Sequence, residues 1–288
     1  ALKEAKAQAD RFYLVCLDEL NLARIENYGA DLLASLEYSR SSNPGQAVID
    51  EAGQGLLLYS HSIEKQLWEE ARFLNEISTR SDQQNQRLNQ IQHLLRDYRS
   101  TFYLSKNLVL LGTLNSDETT YDLSPKVIDR SYVITYPPAN LDEIVQKERI
   151  PKIHSILSVS LLHQVLDSLE PNDAQSDEWR QIVRWNQQYL STLGIPLGHR
   201  AHREYRVFQA ASTFLGLSTQ DCLGHFLFTK LLPRISFAKN EVTESLFSNW
   251  LREIKQNYES YDPGNILSQF DKQMQDKRRS NVRYWIKI

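Results

Sequence analysis

Two adjacent carboxylates, Asp18 and Glu19, close the apolar run FYLVCL at residues 12–17. Held side by side at a strand tip, such a pair can divide two tasks. One acid holds a divalent cation directly or through water, and the other polarises an attacking water. A plainer use is also open. Acids at a helix start cap unpaired N–H groups, and Glu19–Leu36 has helical spacing. A second set follows the apolar run NLVLLGT at 107–113: Asn115 and Asp117 lie just past its end, and Ser124-Pro125-Lys126 opens a short helix that finishes at Asp129-Arg130. An Asn amide is donor and acceptor at once, so at the tip of a neighbouring strand it can bond both a water and a phosphate oxygen. An Arg after a short helix can reach a phosphate held by another subunit and stabilise charge there.

These groups need a frame. The runs 12–17, 107–113 and 131–136 are rich in Val, Ile, Leu or Tyr without alternation, the pattern of strands buried on both faces of a helix-covered parallel sheet. Ligands bind at the carboxyl edge of such sheets, where the acids fall. Between the two sets, AVIDEAGQGLLLY (47–59) reads as a hairpin turning at Gly53-Gln54-Gly55. Residues 62–99 read as two helices with a break near 78–82, packing as a hairpin inserted at about 60–100. Past Pro137-Pro138 helices take over: Asp142–Glu148, Ile153–Leu169, Asp177–Leu193, Ala201–Leu217, Thr219–Leu232, Asn240–Tyr258 and an amphipathic tail helix in Asn265–Ile288. The tail carries KRRSNVR, a basic cluster that suits nucleic acid or a solvated end, the latter being the plainer reading. The expected class is α/β plus α, with an α/β domain over 1–138 and a helical domain over 139–288.

The segments VCLDELNLARIENYGADLLASLE and LVLLGTLNSDETTYDLSPKVIDRSYVI resemble the Walker B segment, and the sensor 1 strand with arginine finger, of AAA+ NTPases in the branch of McrB-type restriction motors. EYRVFQAASTFLG (204–216) and FTKLLPRI (228–235) resemble the lid helices that follow in those proteins, so the likeness spans most of the chain. The resemblance implies a partial AAA+ parallel sheet with flanking helices, followed by a helical lid domain. It implies Asp18 as the Mg²⁺-associated acid, acting through water, and Glu19 as the activator of the attacking water. Asn115 is then sensor 1 with Asp117 assisting, and Arg130 the finger offered to a neighbouring subunit. Arg206 is the sensor 2 candidate, with Arg203 a second one and a solvated helix face the alternative for both. The implied cofactors are Mg²⁺ with ATP or GTP. The implied partners are further copies in a hexamer-like ring, DNA, and a nuclease that the motor remodels, as in restriction or phage defence.

The likeness has a gap. A phosphate-cradling loop reads G-x-x-x-x-G-K-[ST], and none of the ten glycines is followed by Lys. Two accounts stand: residues 1–288 are the C-terminal part of a longer NTPase and inactive alone, or the protein is a non-hydrolysing scaffold or interaction subunit of AAA+ shape.

Composition sets outer bounds. With 41% hydrophobic and 24% charged residues the chain is an ordinary globular sequence, and a net charge of −3 provides no bulk attraction to nucleic acid. No window approaches the about 20 apolar residues of a membrane helix. The polar stretch ALKEAKAQAD does not read as the apolar region of a signal peptide. Cys16 and Cys222 lack metal-like spacing and read as reduced core residues of a cytoplasmic protein. His199 and His202 form an HRAH pair that a metal could bridge, but no third ligand lies near in sequence, which favours a metal-free helix start.

Overall fold

A computed structural model describes residues 11, 13–30, 32–35, 56–98, 100–102, 104, 107–115, 121–136, 176–198, 200–262 and 264–285. The chain separates into two compact units, Ala1–Leu114 and Asn115–Ile288. The first runs β1 (Tyr13–Leu17), α1 (Ile25–Tyr28), β2 (Leu56–Leu57), α2 (His61–Glu76), α3 (Asp82–Asp97), β3 (Thr101–Phe102) and β4 (Leu108–Gly112).

Two of the three expected strands form, and they are parallel neighbours: Tyr13 stands opposite Leu108 and Leu17 opposite Gly112. Parallel strands need a long connection between them, which the inserted segment supplies. Their burial differs from expectation. Along β1 and β4 exposure alternates, leaving Leu14 63%, Val109 46% and Leu111 46% exposed, and Cys16 exposed beside them. The described residues cover one face of this two-stranded sheet, so the period-2 geometry of a strand shows through despite the unbroken apolar composition.

The helix expected from Glu19 does not start there. Glu19 has φ 51°, a left-handed conformation that a right-handed helix cannot contain, and α1 begins only at Ile25.

The helical insertion forms as expected. Ser60 caps α2 by accepting the Ile63 N–H at 3.4 Å, and Ser81 and Gln84 exchange bonds in a capping box that opens α3. Ala71 and Leu74 meet Leu88, Ile91 and Leu95 along the seam, with Leu67 and Ile77 against them. Across the outside, the Arg87 guanidinium grips both Glu70 oxygens at 2.8 and 2.9 Å, which holds the Glu70 carboxyl below the ordinary carboxylate range. The pair is closed at its base by β2 and β3, antiparallel. Of the expected 47–59 hairpin only residues 56–59 are described, and there Leu56–Leu57 pairs with Thr101–Phe102; residues 47–55 lie outside the described residues.

The second unit runs α4 (Pro125–Ile128), α5 (Asp177–Trp185), α6 (Arg200–Phe214), α7 (Thr219–Phe226), β5 (Ser236–Ala238), α8 (Glu241–Tyr258), α9 (Ile266–Gln275) and β6 (Asn281–Arg283). Wider π turns extend α5 over Asn186–Leu190 and α7 over Leu227–Leu231. Its core is aromatic: Trp185, Phe226, Phe247 and Trp250 are fully buried, with edge-on contacts such as Phe247 to Phe270 at 5.2 Å between ring centres. The helices expected around 177–193, 201–217, 219–232 and 240–258 are all present, while Asp142–Glu148 and Ile153–Leu169 lie outside the described residues.

Two expectations fail in this unit. The tail is not one helix: α9 ends at Gln275, and Asn281–Arg283 turns back to pair antiparallel with Ser236–Ala238. The Lys239 ammonium ends the helix by donating to the carbonyls of Gln273, Met274 and Asp276, and the Gln273 amide bonds both backbone groups of Arg283. Within the basic cluster, Arg279 pairs with Asp276 and Arg283 with Asp122.

Among the described residues the third expected strand, 131–136, joins no sheet. The Val133 N–H donates to the Thr229 carbonyl at 2.8 Å. Pro233, the residue that would donate to that carbonyl in an α-helical register, has no N–H to give. Thr135 is tied by its hydroxyl to Tyr284 at 2.6 Å. At the level of class the protein is mostly helical with a small parallel sheet, and among the described residues no helix is long and apolar enough to cross a membrane.

Ile91, 1% exposed at the centre of the helical pair, tests the independence of that seam. Ile91→Ala should destabilise it by about 2–5 kcal/mol. Hydrogen exchange should accelerate across His61–Asp97 and stay unchanged in α8; equal acceleration in both would show a single cooperative core.

Candidate functional site

In the first unit the carboxyl ends of β1 and β4 are joined by one residue that the sequence reading did not single out, Thr113. Its backbone continues the ladder, with its N–H on the Leu17 carbonyl at 3.0 Å and its carbonyl taking the Leu20 N–H at 2.9 Å. Its hydroxyl accepts the Glu19 N–H at 2.8 Å and donates to the Asp18 carboxylate. One side chain therefore orients one acid and pins the backbone of the next. The chain then bends through Glu19 in its left-handed conformation, at a cost of order 1–3 kcal/mol that the surrounding bonds must offset. Leu20 folds over Gly112 so closely that a Cβ there would lie 2.8 Å from its Cδ2. Asp18 and Glu19 are both exposed, so their carboxylates lie at the open edge of the sheet and not in its core.

The signal for Thr113 was in the sequence: a Gly-Thr pair directly after an apolar strand. A small residue there admits the neighbouring turn, and a hydroxyl can both give and accept a bond. Asp18 also suits a water-mediated magnesium ion. It is an exposed hard oxygen donor with one oxygen already oriented, and magnesium is usually held by one or two carboxylates plus waters and phosphate. Among the described residues no group of three metal-binding side chains occurs.

In the second unit Asn115 is exposed, two positions beyond Thr113 in the chain, and Asp117 lies outside the described residues. Arg130 follows α4, whose Val127 and Ile128 are buried and anchor the turn. Its neighbour Asp129 is committed elsewhere, to Arg234 at 2.9 Å and Arg200 at 3.8 Å. Arg206 and Arg203 both lie on α6, half-buried and exposed respectively. Between them Glu204 makes an ion pair at 2.8 Å with Lys230, a lysine only 2% exposed and the second residue the sequence reading passed over. Of the HRAH pair, His202 packs on Trp179 at 4.7 Å between ring centres, and His199 lies outside the described residues. Both cysteines are free. Burial pushes the Cys222 thiol up from its ordinary value, away from a reactive thiolate.

No protein-family model, curated protein or solved structure matches the chain.

The Thr113 hydroxyl and the Glu19 conformation yield a paired test. Thr113→Val should cost about 0.5–1.5 kcal/mol in denaturant unfolding, and Thr113→Ser should restore most of it, because the bonds belong to the hydroxyl. Glu19→Gly should raise stability by roughly 0.5–1 kcal/mol by relieving the left-handed backbone. A destabilised Glu19→Gly would mean that the Glu19 side chain contributes more to the fold than its backbone costs.

Proposed function

We propose that the chain is the C-terminal part of an AAA+ nucleoside triphosphatase of the McrB-like branch, a ring-forming motor driven by ATP or GTP that works on DNA or on a nuclease partner. The observation that carries this reading is the acid pair at the carboxyl end of β1, oriented by a hydroxyl just past its parallel neighbour β4. Shortly after that hydroxyl the chain passes through Asn115 and Asp117 on its way to Arg130.

In this reading Asp18 holds magnesium through water and Glu19 takes the proton of the attacking water. Asp18 would hold the magnesium ion, which would supply neutralisation of the charge that develops on phosphate. Thr113 treats the two acids differently: its hydroxyl donates to the Asp18 carboxylate, and it holds Glu19 by the backbone N–H alone. Asn115 orients the water, with Asp117 assisting. Arg130 serves the nucleotide of the adjacent subunit, and Arg206 or Arg203 contacts the terminal phosphate from the lid. The phosphate-cradling loop lies outside these 288 residues.

Phosphate release tests this reading in the 288-residue chain and in the complete protein. Residues 1–288 alone should release no phosphate from ATP or GTP above a protein-free control, and turnover there would remove the need for a cradling loop. In the complete protein Glu19→Gln should retain nucleotide and lose hydrolysis. Arg130→Ala should bind nucleotide yet turn over more slowly by roughly 10³–10⁵-fold, the range a finger supplies in well-studied systems. Mixed rings of the two variants should regain turnover, since one interface then joins an intact Glu19 to an intact Arg130. Unchanged hydrolysis in Glu19→Gln would make Glu19 a structural residue; a complete protein that never hydrolyses would be the scaffold.

A further inference from the structure

Lys230 is 2% exposed, and lysine is almost never buried this deeply without partners for its charge. Among the described residues its ammonium meets the Asp129 carbonyl at 2.6 Å, the Ser131 carbonyl at 3.2 Å and a Glu204 carboxylate oxygen at 2.8 Å. The ring of Tyr132 closes the fourth side with its centre at 5.0 Å. The two carbonyls are those on either side of Arg130 in the chain, so one buried charge pins the backbone before and after that residue. The third acceptor belongs to α6, between Arg203 and Arg206. An apolar side chain would have filled this volume without the cost of burying a charge.

We infer that Lys230 is the positioning residue for Arg130, and that through Glu204 it couples the Arg130 turn to the α6 helix bearing Arg203 and Arg206. The inference rests on the reading of Arg130 as a finger. A finger acts only from a fixed backbone, because transition-state stabilisation by a charged side chain falls away when its donors are misplaced by about an ångström. A movement of α6 carries Glu204 with it, and the Lys230 ammonium passes that movement to the carbonyls flanking Arg130. The finger offered to one neighbour thereby responds to the state of the subunit's own α6.

The test uses Lys230→Met, which keeps the volume and removes the charge. In the 288-residue chain, hydrogen exchange of residues 127–132 should accelerate by about tenfold or more while α8 stays protected. In the complete protein nucleotide affinity should stay within about twofold, turnover at saturating nucleotide should fall by about tenfold or more, and adding Arg130→Ala should cost nothing further than Arg130→Ala alone. Turnover should return on mixing with Glu19→Gln subunits. Wild-type turnover in Lys230→Met where Arg130→Ala is inactive would overturn the positioning role and leave the finger intact. So would a double variant whose loss is the product of the two single losses. A fully active Arg130→Ala would overturn both the finger and this inference. Should Lys230→Met fail to fold, Glu204→Gln keeps an acceptor for the ammonium while weakening the link: kcat should drop with KM unchanged, and an unchanged kcat would overturn the coupling.

Discussion

Backbone N–H and C=O groups at the ends of strands and helices must find partners, and both candidate centres in this protein are built on that demand. At the end of β1 the Glu19 N–H has left the ladder, and the Thr113 hydroxyl takes it. At the end of α7 the Thr229 carbonyl meets a proline where a donor would be, and Val133 supplies the N–H. One residue further on, Lys230 reaches back to the carbonyls of Asp129 and Ser131. In each case the segment that carries the candidate chemistry is also the segment that completes another element's hydrogen bonding.

This has a consequence for how the sites tolerate change. An exposed acid such as Asp18 or Glu19 contributes little to the core, so its side chain is open to selection for chemistry. Its backbone is another matter, since the left-handed Glu19 is held by bonds from a neighbouring strand end. Lys230 is the reverse: a buried charge whose removal leaves a carboxylate and two carbonyls short of a donor. The helical insertion shows a third regime, in which capped ends and a narrow apolar seam hold two helices together.

Where periodicity and end signals agreed, the elements were legible. Ser60 and Ser81 start α2 and α3 where the polar caps stand, and Leu88, Ile91 and Leu95 form the seam that their spacing describes. The helices of the second unit follow the same logic. Misreadings arose where composition was read without partners. The run 131–136 is as strand-like as the two that form β1 and β4, yet its N–H at Val133 goes to the end of a helix. The tail looked helical as far as its last residues, but the Lys239 ammonium closes α9 and Val282 is buried in a strand.

The sequence by itself determined which residues could carry chemistry. Adjacent carboxylates after an apolar run, an Asn past the next run and an Arg after a short helix are statements about residue type and order, and local rules read them. It also determined helices such as α2, α3 and α8, because capping and 3.6-residue spacing are properties of a segment alone. Only the tertiary structure decided that β1 and β4 are parallel neighbours, that Thr113 spans their ends, that Glu19 turns left-handed, and that Lys230 is buried between the carbonyls flanking Arg130. Those facts depend on pairs of residues far apart in the chain. Hydrogen-bond satisfaction across such distances has no period that a single segment could display.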